Sequence, residues 1–148
     1  MKKLILLTLA VFLTACSANS KSKFDSNLNK WQDAGVSHYS FELGIGCFCP
    51  YADVLPATIE VKDGKIVSMV SVKGEAILPG EMFYEDFANF GTIDEIFIRT
   101  QSALESADKI SIAYDAEFGF PAVVTIDYIT EAVDDELYLY VDNFQVLE

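Results

Sequence analysis

Residues 37–49 read SHYSFELGIGCFC, and this stretch decides the fold. Its apolar residues recur at every second position, which in an extended chain separates the side chains onto two faces. One face carries Tyr39, Phe41, Leu43, Ile45, Cys47 and Cys49, and the other carries His38, Ser40, Glu42, Gly44 and Gly46. The pattern predicts a long, half-buried β-strand from Ser37 to Cys49.

The residues that follow predict a β-hairpin. Ala57, Ile59 and Val61 alternate with polar residues, and the β-branched run from Lys65 to Val72 comes next. Between them lies Asp63-Gly64, a dipeptide that readily adopts the left-handed backbone of a tight hairpin turn. We therefore expect two antiparallel strands joined by a primed turn.

Two other segments have helical periodicity. An apolar stripe ahead of Gly35 predicts a short helix over about 24–34, and its members are Phe24, Leu28 and Trp31. Thr92 and Glu95 fit a capping box, which predicts a second helix that ends near Ala107.

The second half of the chain repeats the order of the first. Three more strands are expected, over Ile110 to Asp115, Ala122 to Tyr128 and Leu137 to Val146. Hairpin-linked strands after each helix predict an α+β fold, with an antiparallel sheet and two helices on one side. The order also suggests a tandem helix-plus-three-strand duplication. Residues 73–91 are expected to form an aromatic-rich loop that covers a sheet face.

The first residues have the pattern of a bacterial export signal. Lys2 and Lys3 precede the apolar stretch Leu4 to Leu13, which is too short to span a bilayer. The following Leu13-Thr14-Ala15-Cys16 resembles the lipobox of bacterial lipoproteins, in which the cysteine thiol carries a diacylglyceryl group. We expect residues 1–15 to be a signal peptide, residues 16–23 the lipidated cysteine with a flexible tether, and residues 24–148 a single globular domain.

Location and charge limit the expected partners. Ser17 after the cysteine is similar to the sorting pattern of Gram-negative lipoproteins, which implies the outer membrane, facing the periplasm. The net charge of −13 becomes −15 once Lys2 and Lys3 leave with the signal peptide. Such a chain repels nucleic acid and other polyanions. The expected partners are the membrane, through the lipid anchor, and an envelope protein. Apart from the lipid on Cys16, no cofactor is expected.

Cys47 and Cys49 are the pair of thiols that remains once Cys16 carries lipid. In an oxidising compartment they are candidates for a disulfide, for thiol-redox exchange, or for binding a soft metal ion such as Cu(I) or Zn²⁺. Alternatively, both continue the inward face of the strand as small core residues. A disulfide requires a bend, because such residues lie about 6.5–7 Å apart on a straight strand. His38, the only histidine, is expected at the surface on the opposite face.

Acidic residues give weaker candidates. Glu131 and Asp134-Asp135-Glu136 lack the ligand spacing and the glycine of an EF-hand loop, so a solvated hairpin turn is expected there. Nothing sets two of Asp115, Glu117 and Asp127 apart as an acid and base pair among the 23 acids of the chain. The sequence contains no nucleophile elbow, zinc-protease, phosphate-loop or dinucleotide motif, and no catalytic residue is predicted.

Tyrosines on the last predicted strand form a candidate binding surface. Leu137, Leu139 and Val141 share one face, which leaves Tyr138, Tyr140 and Asp142 on the other as an aromatic, acidic patch. Exposed aromatic side chains of this kind are common in protein–protein interfaces. The alternative is that residues 73–91 cover these tyrosines.

An ordered set of short motifs resembles a family of small bacterial secreted lipoproteins, known as a domain of unknown function. The motifs are Trp31, Tyr39-Ser40-Phe41, Cys47-Phe48-Cys49-Pro50, Val61-Lys62-Asp63-Gly64-Lys65, Thr92-Ile93-Asp94, Tyr114-Asp115, Gly119-Phe120-Pro121 and Asp134-Asp135-Glu136. The resemblance implies no activity. The order of elements is also similar to periplasmic β-lactamase-inhibitor-like domains, at the level of the fold alone.

Three functions follow as hypotheses. The first is a non-enzymatic envelope lipoprotein with a binding or accessory domain. The second is a thiol-redox or soft-metal-handling lipoprotein that uses Cys47 and Cys49. The third, by analogy of fold, is an inhibitor of a periplasmic enzyme.

Overall fold

Strand β1, His38–Gly46, lies in the middle of a six-stranded antiparallel sheet. The computed structural model describes residues 19–47, 49–50 and 53–148, so the predicted signal peptide and Cys16 lie outside the described residues. The other strands are β2 (Ala57–Lys62), β3 (Lys65–Val70), β4 (Lys109–Tyr114), β5 (Pro121–Asp127) and β6 (Glu136–Val146). The helices are α1, which includes residues 19–34, α2 (Tyr84–Ala88) and α3 (Ile93–Ser106).

The predicted α+β fold is confirmed, with three helices in the described residues rather than two. The additional helix, α2, lies within residues 73–91, which the sequence predicted to be a loop. Its first turn carries Glu85 and Asp86, which suit the positive end of a helix, and Phe87 is fully buried. Only one of the five residues of α2 is buried, so its sequence has no helical spacing of buried residues by which the helix could be predicted.

The strands lie in the order β3-β2-β1-β6-β5-β4. Each half of the chain thus forms a three-stranded meander after a helix, and the pairing of β1 with β6 joins the halves. Because all neighbours are antiparallel, strands at corresponding places in the two halves run in opposite directions. With the helices of both halves on one face, no rotation superimposes one half on the other. The element order therefore repeats as predicted, but the spatial arrangement does not.

All three helices pack on the same face of the sheet, which we call the covered face. Alternate strand residues point into it, including Tyr39, Phe41, Leu43, Ile59, Val61, Val124, Ile126, Leu139 and Val141. Residues 73–91 contribute Ile77 and Phe87 to the same core. Burial of this apolar area, at about 25 cal/mol per Å², is the main stabilising term of the fold.

One polar contact joins two of the helices, and a second joins α3 to the sheet. The Trp31 indole N–H on α1 donates to Asp94 Oδ1 on α3 at 3.0 Å. The backbone N–H of Ile93, at the start of α3, donates to the Tyr39 hydroxyl at 3.0 Å. Burial raises the pKa of Tyr39 to about 12, and the nearby Asp94 carboxylate also raises it, while the bond from Ile93 lowers it.

The predicted turn and helix cap are confirmed. Asp63 and Gly64 have φ angles of 50° and 72°, the left-handed pair that a primed hairpin turn requires. The Thr92 side chain accepts a hydrogen bond from the Glu95 N–H at 3.0 Å, so that α3 begins at the predicted residue. The three later strands agree with the prediction within one residue at the bounds.

The predicted tether is partly wrong, because residues 19–23 are helical and extend α1 beyond the predicted start at 24. Residues 16–18 lie outside the described residues. An ion pair of 3.0 Å between Lys21 and Asp25, four residues apart, supports the added turn. The Asn27 side-chain amide also donates to the Lys23 carbonyl at 2.8 Å. None of the helices in the described residues has the length and apolar character needed to cross a membrane.

Candidate functional site

The face of the sheet opposite the helices is the candidate functional site, and we call it the uncovered face. Tyr138 and Tyr140 of β6 lie on it as predicted, and Tyr138 is 44% exposed. The alternative, that residues 73–91 cover these tyrosines, is wrong, because Ile77 and Phe87 anchor that segment on the covered face. No described helix or loop packs over the two rings.

Glycines on β1 determine how the tyrosines lie. The Tyr140 ring occupies the place of a side chain on Gly44, since a Cβ atom there would collide with the ring. Gly46 lies opposite Tyr138, and a Cβ atom at that position would be 3.3 Å from the Tyr138 Cβ. The two rings are 5.9 Å apart between centroids, at an angle of 45°. The missing side chains thus let both rings lean over β1.

An open groove of about 480 Å³ lies on the other side of the rings, over β5 and β6. Its lining residues are Ala122, Val123, Tyr138, Tyr140, Val141 and Asp142. Val123 is the cross-strand neighbour of Tyr140, so an aliphatic wall faces an aromatic one. Asp142 supplies a carboxylate to this groove, whose lining is part polar and part apolar.

A second carboxylate lies beside the groove. Glu42 of β1 is the cross-strand partner of Asp142, and both residues occupy the uncovered face. The ladder is irregular directly beyond this pair, between Ser40 and Glu42, where Asn143 adopts a left-handed φ of 50°. Such bulges change the direction of neighbouring side chains and often occur next to binding sites.

His38 lies on the same face, as the sequence predicted, and is only partly exposed because other groups contact its ring. Its side chain is 18% exposed, and Nε2 lies 2.8 Å from Glu60 Oε1. Its Nδ1 lies 3.1 Å from the Glu148 carbonyl oxygen. The two ring nitrogens therefore link β1 to Glu148 and to Glu60 of β2, and His38 is far along the strand from the cysteines.

Cys47 and Cys49 form a disulfide with each other, with a Cα–Cα distance of 5.2 Å. The prediction that they continue the strand is wrong, because β1 ends at Gly46 and the chain bends at Cys47. The Cys49 N–H donates to the Cys47 carbonyl at 2.8 Å, which closes the tight turn. Cys47 still packs against the core. The turn lies beside the Tyr138 end of the uncovered face, since Gly46 pairs with Tyr138.

The acidic candidates have structural roles. Asp115 Oδ1 accepts hydrogen bonds from the Glu117 and Phe118 amides at 2.9 and 2.6 Å and so stabilises a turn. Asp127 lies 3.4 Å from Lys109. In the predicted turn near Glu131, Asp135 Oδ2 accepts a hydrogen bond from the Ile129 N–H at 2.6 Å. No group of three or more metal-ligand side chains occurs within the described part of the chain.

A separate groove of about 380 Å³ lies between α1, the end of α3 and the start of β4. Phe24, Leu104 and Ile110 line it together with polar residues, among them Lys21 and Glu105. It is remote from the tyrosines, the cysteines and the carboxylate pair.

The sequence identified the two tyrosines but missed the parts of the groove that depend on strand pairing. Two glycines on the outward side of a strand were a visible signal, because glycine weakens a strand unless another group approaches closely. The juxtaposition of Glu42 with Asp142 had no such signal, since it depends on the register between strands about 100 residues apart.

Comparison with known protein families gives one match. The family of unknown function DUF6174 matches residues 23–146, which include every strand and all three helices from residue 23 onward. Neither the curated proteins nor the solved structures give a match. The chain therefore belongs to the family of unknown function DUF6174.

Proposed function

We propose that this chain is a lipid-anchored envelope protein whose uncovered sheet face binds another protein without catalysing a reaction. The observation that carries the proposal is the arrangement of Tyr138 and Tyr140 over the glycines of β1, beside an open groove. Aromatic side chains with an exposed ring and a polar hydroxyl are enriched at interfaces.

The rings are suited to binding because they are already ordered. The Tyr140 ring is half-buried against Gly44, and its neighbour Tyr138 lies within stacking distance. A partner that binds them immobilises few additional rotatable bonds, and side-chain ordering otherwise costs about 0.5–1.5 kcal/mol per residue on association. The two rings thus present a preorganised aromatic surface.

The proposed anchor would hold the domain close to a membrane through α1, on the covered side of the sheet. Only residues 17 and 18 separate Cys16 from the first described helical residue, so the chain between them spans about 10 Å at most. A lipid on Cys16 would therefore hold the start of α1 near the bilayer. The partner that fits this location is another envelope protein.

Metabolic labelling tests the anchor. Cells that produce the full chain are grown with an alkyne-bearing palmitate analogue, and the purified protein is assayed for the label. We expect labelling that Cys16→Ser abolishes, while the matched control Cys47→Ser with Cys49→Ser remains labelled. Unlabelled wild-type chain would contradict the anchor but not the binding face.

Photo-crosslinking in intact cells tests the face. A photoreactive amino acid replaces Tyr138 in one strain and Ile98 in another; Ile98 is an apolar residue on α3 that is more exposed than Tyr138. We expect a discrete adduct from position 138 whose crosslinked peptide belongs to one envelope protein, and no adduct from position 98. Equal adducts from both positions, or none from position 138, would contradict the proposal.

A specific observation favours thiol-redox exchange as a second candidate. The Cys47–Cys49 disulfide closes a loop of three residues, so loop closure accounts for only roughly 1.5–2 kcal/mol of stabilisation. A dithiol partner that gives up two electrons and two protons would reduce it to two thiols. Soft-metal binding would then use the reduced pair.

Alkylation separates this candidate from a structural disulfide. The native chain is treated with an exposed dithiol protein at limiting concentration, quenched with a maleimide and weighed by mass spectrometry. Addition of two maleimide groups supports exchange, and uptake of Cu(I) by a separate sample of the reduced chain that has not been alkylated supports metal handling. A mass that stays unchanged in native protein, but gains two groups after denaturation and reduction, would leave the disulfide purely structural.

A further inference from the structure

The carboxylate pair beside the groove, Glu42 and Asp142, is an unfavourable combination for neighbouring strands. Glu42 and Asp142 lie directly opposite each other on β1 and β6, and like charges in that position are destabilising. No cation forms an ion pair with either carboxylate among the described residues. A stable sheet does not need this pair, which indicates that something outside the chain uses it.

The groove next to the pair has two different walls. Tyr140 supplies an aromatic face, Val123 an aliphatic one, and Asp142 closes the groove with a carboxylate. A group that fits must therefore be apolar along its length and cationic at its tip. Lysine and arginine side chains both have this form.

Arginine fits the groove better than lysine. Its planar guanidinium stacks on aromatic rings and donates paired hydrogen bonds to carboxylates, whereas the lysine ammonium is a compact and strongly hydrated charge. Two carboxylates on neighbouring strands accept more of the five guanidinium N–H groups than one carboxylate could. The aliphatic part of the side chain would lie between Tyr140 and Val123.

We propose that the groove binds an arginine side chain on an extended, basic segment of the partner protein. The proposal rests on the proposed function and specifies its ligand. Charge complementarity supports it, because a chain of net charge −13 attracts a basic segment, and Asp142 of the carboxylate pair lines the same groove as Tyr140.

The test uses a pentapeptide, acetyl-Val-Thr-Arg-Thr-Val-amide, titrated into the isotope-labelled mature chain with its lipid in detergent micelles. The matched control peptide has citrulline, which is uncharged and almost isosteric, in place of arginine. We expect saturating NMR shifts at Glu42, Val123, Tyr140 and Asp142, with the citrulline peptide bound at least about tenfold more weakly because the charge-assisted hydrogen bonds are lost.

Two double variants distinguish binding by the carboxylates at the groove from attraction by the overall negative charge of the chain. Glu42→Gln with Asp142→Asn removes two charges at the groove, and we expect about a tenfold or greater loss of affinity for the arginine peptide. Glu131→Gln with Asp134→Asn removes two charges from an exposed turn and should leave the affinity unchanged. Equal losses in both variants, equal binding of the citrulline peptide, or shifts that avoid the groove would overturn the proposal.

Failure of this proposal differs from failure of the proposed function. If position 138 crosslinks to one envelope protein while the arginine peptide does not bind, the face is an interface with a different chemistry. If position 138 gives no adduct, the binding function itself is contradicted, whatever the peptide does.

Discussion

The two faces of strand β1 differ in what their residues do for the fold. Tyr39, Phe41 and Leu43 point to the covered face and are at most 2% exposed. Their neighbours Glu42 and Gly44 point to the uncovered face, where Glu42 is the cross-strand partner of another acidic residue, Asp142, and Gly44 lies beneath the Tyr140 ring. One face is built from residues that stabilise a sheet, and the other from residues that weaken one. We infer that stability resides on the covered face and binding on the uncovered one.

The largest expected effect is a difference in the free energy of unfolding between a variant on the covered face and one on the uncovered face. Phe41→Ala should cost about 3–5 kcal/mol in the free energy of unfolding, because it leaves a cavity in a fully buried site. Tyr138→Ala, a truncation of similar size on the uncovered face, should cost less than about 1 kcal/mol, as is usual for exposed sites. Urea denaturation of both variants measures the difference. Similar losses would show that the faces contribute equally.

The next effect probes the packing of Tyr140 on Gly44. Gly44→Val should destabilise the chain by about 1–3 kcal/mol, because the new side chain displaces the ring. Adding Tyr140→Ala should restore much of the loss, which a double-mutant cycle of thermal unfolding would detect. The matched control is Thr58→Val on the same face, where we expect little change. An absence of coupling between positions 44 and 140 would contradict the described packing.

A smaller effect concerns Tyr39. Tyr39→Phe should cost about 1 kcal/mol, because the Ile93 N–H loses its acceptor. The raised pKa means that the folded chain keeps the phenol proton up to about pH 12, while the unfolded chain loses it near 10.0. The stability of the wild type should thus fall as the pH rises from 10 to 12, and the stability of Tyr39→Phe should fall less steeply. Urea midpoints of the wild type and Tyr39→Phe, measured side by side across this range, check the direction of the change. Tyr114→Phe is measured with them, because the pKa of Tyr114 is also raised to about 12.

The smallest expected effect is an increase in stability rather than a loss. Glu42→Gln should raise stability by about 0.2–1 kcal/mol, because it removes a like-charge pair between β1 and β6. Glu131→Gln, in an exposed turn, serves as the control and should change stability less. A destabilised Glu42→Gln chain would show that the carboxylate pair supports the fold, which would contradict the contrast between the faces.

Local patterns account for most of what the sequence predicted correctly. Alternation identified the covered side of β1, the Asp63-Gly64 dipeptide identified the hairpin turn, and Thr92 identified the start of α3. Each of these features depends on residues within a few positions of each other. Sequence reasoning therefore predicted the elements, the α+β class and the outward direction of the two tyrosines.

The errors arose where the pattern of apolar residues does not show the outcome. The end of β1 at Gly46 depends on the bond between Cys47 and Cys49, and α2 forms because Phe87 enters a core built by other segments. The additional turn of α1 has no apolar stripe to reveal it. The site was predicted in part: Tyr138 and Tyr140 were found, while the groove and the Glu42–Asp142 pair follow from register.

The most direct test compares affinity and stability in the same variants. The envelope protein captured through position 138 is purified, and its dissociation constant is measured for the wild-type chain, Tyr138→Ser and Ile98→Ser, together with the melting temperature of each. Truncation of an aromatic residue at the centre of an interface costs about 2 kcal/mol of binding free energy, so we expect Tyr138→Ser to bind roughly 30-fold more weakly. Its melting temperature should be nearly unchanged. Ile98→Ser should bind as the wild type does. Unchanged affinity in Tyr138→Ser, or an equal loss in Ile98→Ser, would contradict the assignment of binding to the uncovered face.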